Sequence, residues 1–297
     1  MRVFVTGATG FIGSAIVREL LGEGHQVLGL ARSDRGAEAL VAAGAEVHRG
    51  SLEDLDSLRV GARAADGVIH TAFVHDFSDY AGAARTDLQA IEALGEELVG
   101  SDRPLVVTSG TAGLRPGRLG TEEESADPES PRGFRIPSEQ AALGFAERGV
   151  RASVLRLPPS VHGEGDHGFV PALIGIAREK GVSAYPGDGS NRWPAVHRLD
   201  AARLFRMALE SAPAGTRLHG VADQGVPVRE IAELIGRQLD VPVTTVASED
   251  AIDHFGWIGG IFALDVPASS AATRKLLGWQ PTEPGLLADL EAGHYFG

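Results

Sequence analysis

The sequence predicts an α/β chain: a Rossmann-like, doubly wound parallel sheet with a smaller, irregular C-terminal lobe. Three observations carry this prediction. Short apolar runs alternate with helical patterns through the first half, a glycine-rich turn joins the first strand to the first helix, and the regular alternation ends at Pro158-Pro159. Alternation of this kind places helices on both faces of a parallel sheet.

Taken in order, strands are predicted at residues 3–6, 26–30, 46–49, 67–70 and 105–108, with a sixth at 152–157. Between them, residues 12–21, 36–43, 55–62 and 87–99 carry apolar positions at helical spacing. Beyond residue 160 the pattern loosens. Helices are expected at 170–180, 201–211 and 228–239 and a strand at 243–246, among glycine-rich stretches. The expected division is a dinucleotide-binding domain over 1–160, with a return segment at about 195–225. Residues 161–194 and 226–297 would form a substrate-binding lobe.

Composition narrows the function classes. The chain has 297 residues and a net charge of −13, which argues against nucleic acid or an anionic membrane as the main partner. It has no cysteine, so disulfides, thiolate metal ligands and thiol nucleophiles are excluded. No run is apolar and long enough to span a membrane, no presequence is recognised before the first strand, and a cytoplasmic protein is expected. No spacing of ligating residues suggests a metal site. A small molecule is the expected partner, and the oligomeric state is left open, a homodimer included.

The strongest local signal is Thr6-Gly7-Ala8-Thr9-Gly10-Phe11-Ile12-Gly13 between a strand and a helix, the context required for a dinucleotide fingerprint. Gly7 permits the tight turn, Gly10 lets backbone approach a pyrophosphate, and Gly13 lets the helix pack on the strand. Thr9, Phe11 and Ile12 complete the cradle, whose unpaired N–H groups face the phosphates. At the end of the second strand, where an NAD site places an acid, stand Arg32 and Ser33. Arginine pairs with a 2′-phosphate and cannot accept from a ribose hydroxyl. NADP(H) is therefore favoured over NAD(H), although Asp34 follows immediately.

With these features the chain resembles the short-chain dehydrogenase/reductase superfamily, in particular its extended or atypical branch of NAD-dependent epimerases and dehydratases. The resemblance rests on Thr6–Gly13, on His70-Thr71-Ala72-Phe73, on Val107-Thr108-Ser109, on the run from Arg156 to Gly163, and on the stretch from Gly187 to Asp200. It implies that Ser51 and Leu52 lie at the adenine, that Thr71, Ala72 and Phe73 follow the ribose and phosphates, and that Pro158 to Ser160 edge the nicotinamide. Ser109 keeps the family's serine place, where it would polarise a substrate oxygen.

The chain departs from the family at the proton donor. No Tyr-x-x-x-Lys occurs anywhere, and the corresponding places hold Arg135 and Glu139. Arginine is a poor acid but can stabilise developing negative charge, and an ionised Glu139 could accept from the ribose diol. Both also suit an ordinary helix start. Proton-supply or substrate candidates are His75, Tyr80, His162 and His197, with Arg192 and Trp193 nearby in sequence to the last. The reading is an NADP(H)-dependent oxidoreductase of a small carbonyl or alcohol. A nucleotide-sugar epimerase or dehydratase and a non-catalytic NADP(H) sensor are the alternatives.

Overall fold

The computed structural model describes residues 1–74, 79–125 and 133–297. The first part contains β1 (Arg2–Thr6), α1 (Phe11–Gly22), β2 (Gln26–Ala31), α2 (Asp34–Ala42), β3 (Glu46–Arg49) and α3 (Leu55–Arg63). It continues through β4 (Gly67–His70), α4 (Tyr80–Glu96), β5 (Pro104–Gly110), α5 (Ile136–Gly144) and β6 (Arg151–Leu157). Then follow β7 (Ser160–His162), α6 (Phe169–Lys180), β8 (Ser183–Pro186), β9 (Arg192–His197), α7 (Arg198–Ser211) and β10 (Thr216–His219). The chain ends with β11 (Asp223–Pro227), α8 (Val228–Leu239), β12 (Val243–Val246), α9 (Ala251–Phe255), α10 (Gly259–Phe262), α11 (Ala271–Leu277) and α12 (Leu286–Glu291).

Seven strands form one sheet in the order β10-β6-β5-β4-β1-β2-β3, every neighbouring pair parallel. Because strand residues alternate between faces, β1 sends Val3 and Val5 to one core and Phe4 to the other. Val3 and Val5 pack with Ile16 and Leu20 of α1, Leu40 of α2 and Phe205 of α7. Phe4 packs with Leu58 of α3, Ile91 of α4 and Ala142 of α5. The order reverses between β1 and β4, so their C-terminal ends open the crevice where doubly wound sheets bind ligands.

The rest builds a third core. β9 lies between β7 and β11, and β8 pairs with β12. Trp193 of β9, Leu173 of α6, Ile231 and Leu234 of α8, Phe262 of α10 and Leu290 of α12 pack there. Among the described residues, no helix is long and apolar enough to cross a membrane.

Beyond residue 160 the chain holds more short strands and helices than the sequence reading predicts, and two differences in the main sheet and its helices have a clear cause. Helix α4 begins at Tyr80, not near residue 87, because the Asp79 carboxylate accepts from the Gly82 N–H at 2.8 Å and caps it. After Tyr80 its first turn holds small residues without apolar periodicity, so the pattern became visible only about two turns later. Strand β10 is too short and polar to be read from its own residues. It is a strand because β6 offers an open edge, with Leu218 beside Leu155 and His219 beside Arg156.

Candidate active site

The β1–α1 turn is shaped by what its glycines exclude. Gly7 has φ +68°, and a Cβ there would lie 2.7 Å from the Ala72 nitrogen. A Cβ on Gly13 would sit 2.0 Å from the Gly7 carbonyl oxygen, so helix and turn touch through backbone. Gly10 differs: a Cβ there would meet only that same oxygen, at 3.3 Å, and its outer side is open. Gly10 caps α1 with no side-chain hydrogen bond, and no acid occupies the first turn. The helix therefore offers its first N–H groups and positive end to an anion. This geometry fits a dinucleotide's pyrophosphate. Phe11 begins α1 with Arg198 over its ring at 5.0 Å, Thr9 is exposed, and Ile12 packs against the α1 core.

Around this turn, the end of β4 is tied to the end of β1. The Thr71 hydroxyl donates to the Thr6 carbonyl at 2.8 Å, and the Ala72 N–H donates to the Thr6 hydroxyl at 3.3 Å. At the end of β2, Arg32 is exposed and Ser33 caps α2 by accepting from the Gly36 N–H. Asp34 turns instead to Arg49, 2.5 Å away. Ser51 and Leu52 follow β3, with Leu52 buried against the α3 core. A Ser51 hydrogen bond, and further off Arg32, hold the Glu53 carboxyl below its usual pKa.

The second group lies across the crevice. Arg135, at the start of α5, stacks its guanidinium on the Phe73 ring, 4.5 Å from the centroid. It donates to the Thr108 carbonyl at 2.7 Å and pairs with Asp87 at 3.3 Å. Asp87 is fully buried and also bonds His70 Nε2 at 3.2 Å, and His70 Nδ1 meets the Thr6 hydroxyl at 2.9 Å. Thr6, His70 and Asp87 thus form a continuous chain of polar contacts from β1 through β4 to α4. Burial pushes the Asp87 pKa up, but Arg135 and His70 outweigh it and the net shift is downward. Ser109, next to last in β5 and in register with Arg156, is buried. Tyr80 and Phe134 close the group, with ring centroids 5.6 Å apart.

Glu139 does not join it. It is 4% exposed, and Arg156 holds both carboxylate oxygens, Nε at 3.0 Å and one terminal nitrogen more closely. Arg217 adds a bond at 3.0 Å. Burial opposes ionisation, yet the two arginines bring its pKa below the ordinary value. Both carboxylate oxygens of Glu139, expected at the ribose diol, are thus engaged by arginines. The residue is four positions from Arg135 on the same helix, but that face meets β6 and β10 rather than the crevice.

The other expected residues separate likewise. Pro158 and Ser160 are buried at the junction of β6 and β7, and the Ser160 hydroxyl has no hydrogen-bond partner among the described residues. His162 is fully buried and bonds Asp289 of α12 at 2.8 Å. His197 caps α7 by accepting from the Leu199 N–H, and burial, with His162 close by, lowers its pKa. Trp193 is buried in the third core and donates to the Ile261 carbonyl. Arg192 forms a two-pronged pair with Asp265, both contacts at 2.9 Å. His75 lies outside the described residues. No group of three or more His, Asp or Glu among the described residues could hold a metal ion. Sequence reasoning missed Asp87. Its signal was an acid on the apolar face of α4, in step with Ala83, Ala84, Ala90 and Ile91.

Comparison with known proteins fits this geometry. The model of the NAD dependent epimerase/dehydratase family matches residues 3–219. The uncharacterized protein C2A9.02 of Schizosaccharomyces pombe is 55% identical over 100% of both chains. A 2-alkyl-3-oxoalkanoate reductase of Stenotrophomonas maltophilia is 29% identical over 82% of this chain and 77% of its own. The dTDP-glucose 4,6-dehydratase DesIV of Streptomyces venezuelae superposes with TM-score 0.79 at 22% identity, over 99% of this chain and 96% of its own.

Proposed function

The chain belongs to the NAD dependent epimerase/dehydratase family, and within that family we propose that it is an NADP(H)-dependent oxidoreductase acting on a small, uncharged carbonyl or alcohol. Residues 1–160 with the 195–225 return segment would bind cofactor, and the remaining lobe would close over the substrate. The carrying observation is the Arg135 guanidinium. It lies over the Phe73 ring and is paired with Asp87, in the same crevice as a glycine turn shaped for a pyrophosphate.

NADPH, when bound, supplies the hydride. The chain's own residues do the rest. The first turn of α1 holds the pyrophosphate. Arg32, with the Ser33 hydroxyl as a further donor, takes the 2′-phosphate, a choice supported by the engagement of Asp34 with Arg49. Pro158 and Ser160 edge the nicotinamide. Ser109 polarises the substrate oxygen, and Arg135 stabilises the negative charge that develops there. Glu139 acts at one remove, fixing Arg156 beneath the end of β5.

A nucleotide-sugar substrate is disfavoured by Arg192. Its Nε and one terminal nitrogen are held by the Asp265 carboxylate, which offsets its charge and leaves only its other terminal nitrogen to a diphosphate. The reductase name of the Stenotrophomonas relative also favours carbonyl chemistry. The test is NADPH consumption across aldehydes and ketones, with thermal shifts in UDP- and dTDP-sugars alongside. Turnover of a ketone or aldehyde is expected, with no shift from sugar nucleotides. Tight NADPH binding without turnover would identify a sensor, and stabilisation by a sugar nucleotide would restore the epimerase reading. NADPH should bind more tightly than NADH, and Arg32→Ala should reduce only that advantage, on the order of 10- to 100-fold.

A further inference from the structure

Hydride transfer to a carbonyl needs a proton, and the residue in the family's tyrosine place cannot give one, since arginine stays protonated. The chain has two lysines and three tyrosines. Lys180 ends α6 and Lys275 lies in α11, both outside the crevice. Tyr185 lies in β8 beneath Arg229. The Tyr295 hydroxyl accepts from the Gly163 N–H and bonds Asp166, pinning the end of the chain. Among the described histidines, His70 and His162 are fully buried against Asp87 and Asp289.

Tyr80 is the tyrosine that remains. It is the first residue of α4, and its ring lies 5.4 Å from Phe73 and 5.6 Å from Phe134. Phe73 is also the ring that carries the Arg135 guanidinium. One aromatic ring thus joins a phenol and a cation at the expected reaction centre, the phenol from the start of α4 and the cation from the start of α5.

We propose that Tyr80 is the proton donor of this enzyme, moved from α5 to the start of α4, with Arg135 as the cation that stabilises its phenolate. The proposal rests on the oxidoreductase reading. In reduction the carbonyl carbon gains the hydride and the carbonyl π pair moves to oxygen. That oxygen takes the Tyr80 proton. The electron pair of the broken O–H bond stays on the phenolate, which water reprotonates. Oxidation of an alcohol runs the same steps in reverse.

The groups facing Tyr80 suit the role. Burial is the largest influence and raises its pKa, Arg135 pulls it down and Asp87 pushes it up. Asp87 is in turn engaged by His70 from β4. The phenol is therefore protonated before reaction. The guanidinium and an oxidised, positively charged nicotinamide would both favour the phenolate after it.

Tyr80→Phe removes the proton and leaves the ring. Single-turnover hydride transfer should fall by about 10²- to 10⁴-fold, the range for a lost general acid, with NADPH affinity within about twofold. A second measurement needs no substrate. Saturating NADP+ should move one tyrosinate ultraviolet transition to lower pH in the wild type, and that transition should be absent from Tyr80→Phe. A wild-type hydride rate in the variant would overturn the proposal, as would the same cofactor-linked transition in both proteins. If the wild type reduces no carbonyl, the oxidoreductase reading fails and the donor role with it. The tyrosinate titration then still reports whether Tyr80 faces the nicotinamide.

Discussion

Helices α1 and α5 both begin at the C-terminal edge of the sheet, and they prepare their ends differently. At α1 the chain removes side chains. Gly7, Gly10 and Gly13 let backbone touch backbone, and Gly10 leaves the first N–H groups uncapped. At α5 it supplies side chains, and two residues four apart find opposite fates. Arg135 rests on Phe73, while Glu139 is drawn between Arg156 and Arg217. A site made of backbone depends on local conformation, which neighbours scarcely alter. A site made of side chains depends on which partner each one meets.

The largest expected effect tests the α5 half of this contrast. Glu139→Gln leaves Arg156 buried without its countercharge, so stability should fall by about 3–5 kcal/mol, read as a lower urea midpoint. NADPH affinity of the folded fraction should hold. Unchanged stability with weakened NADPH binding would return Glu139 to the ribose.

Arg135→Lys comes next. A point charge replaces a planar fork that stacks on Phe73 and bonds the Thr108 carbonyl. Hydride transfer should slow on the order of 10²-fold, as for one lost oxyanion donor, with little change in urea midpoint. A variant that loses stability instead of rate would make Arg135 a second Glu139.

Gly10→Ala probes the α1 end. Its Cβ meets one backbone oxygen at 3.3 Å within the protein and otherwise points outward. Cofactor affinity should fall roughly tenfold, about 1.4 kcal/mol, while stability changes by less than about 1 kcal/mol. Calorimetry showing unchanged NADPH binding would mean that nothing approaches this turn closely.

A pH dependence is expected behind α5, away from both helix starts. His219 Nδ1–H donates to the Ser269 carbonyl at 2.7 Å, and its Nε2 accepts from Arg156 at 3.3 Å. Burial is the main reason its pKa drops from 6.5 to about 4. Between those values the unfolded chain binds the proton more readily, so stability rises with pH across that window. It should be fully present above 6.5 and lost as the pH falls towards about 4. His219→Gln should flatten this slope in urea midpoints, and an equal slope in both proteins would place the titrating group elsewhere.

The sequence by itself determined the β1–turn–α1 unit, six strands of the main sheet, helices α1 to α3 and the body of α4. Apolar spacing and glycine at constrained positions act over a few residues, so they are legible without the fold. The same residues signalled the family and marked Arg135 as anomalous. Tertiary structure decided what the charged groups do. Glu139 meets Arg156 and Arg217 at sequence separations of 17 and 78, and Arg192 meets Asp265 at 73. No local pattern encodes those meetings. A buried charge takes whichever partner the packing brings within reach, because its desolvation is offset only there. The edge beside β6 likewise made a strand of Thr216–His219, and Asp79, by capping Gly82, fixed the start of α4 at Tyr80.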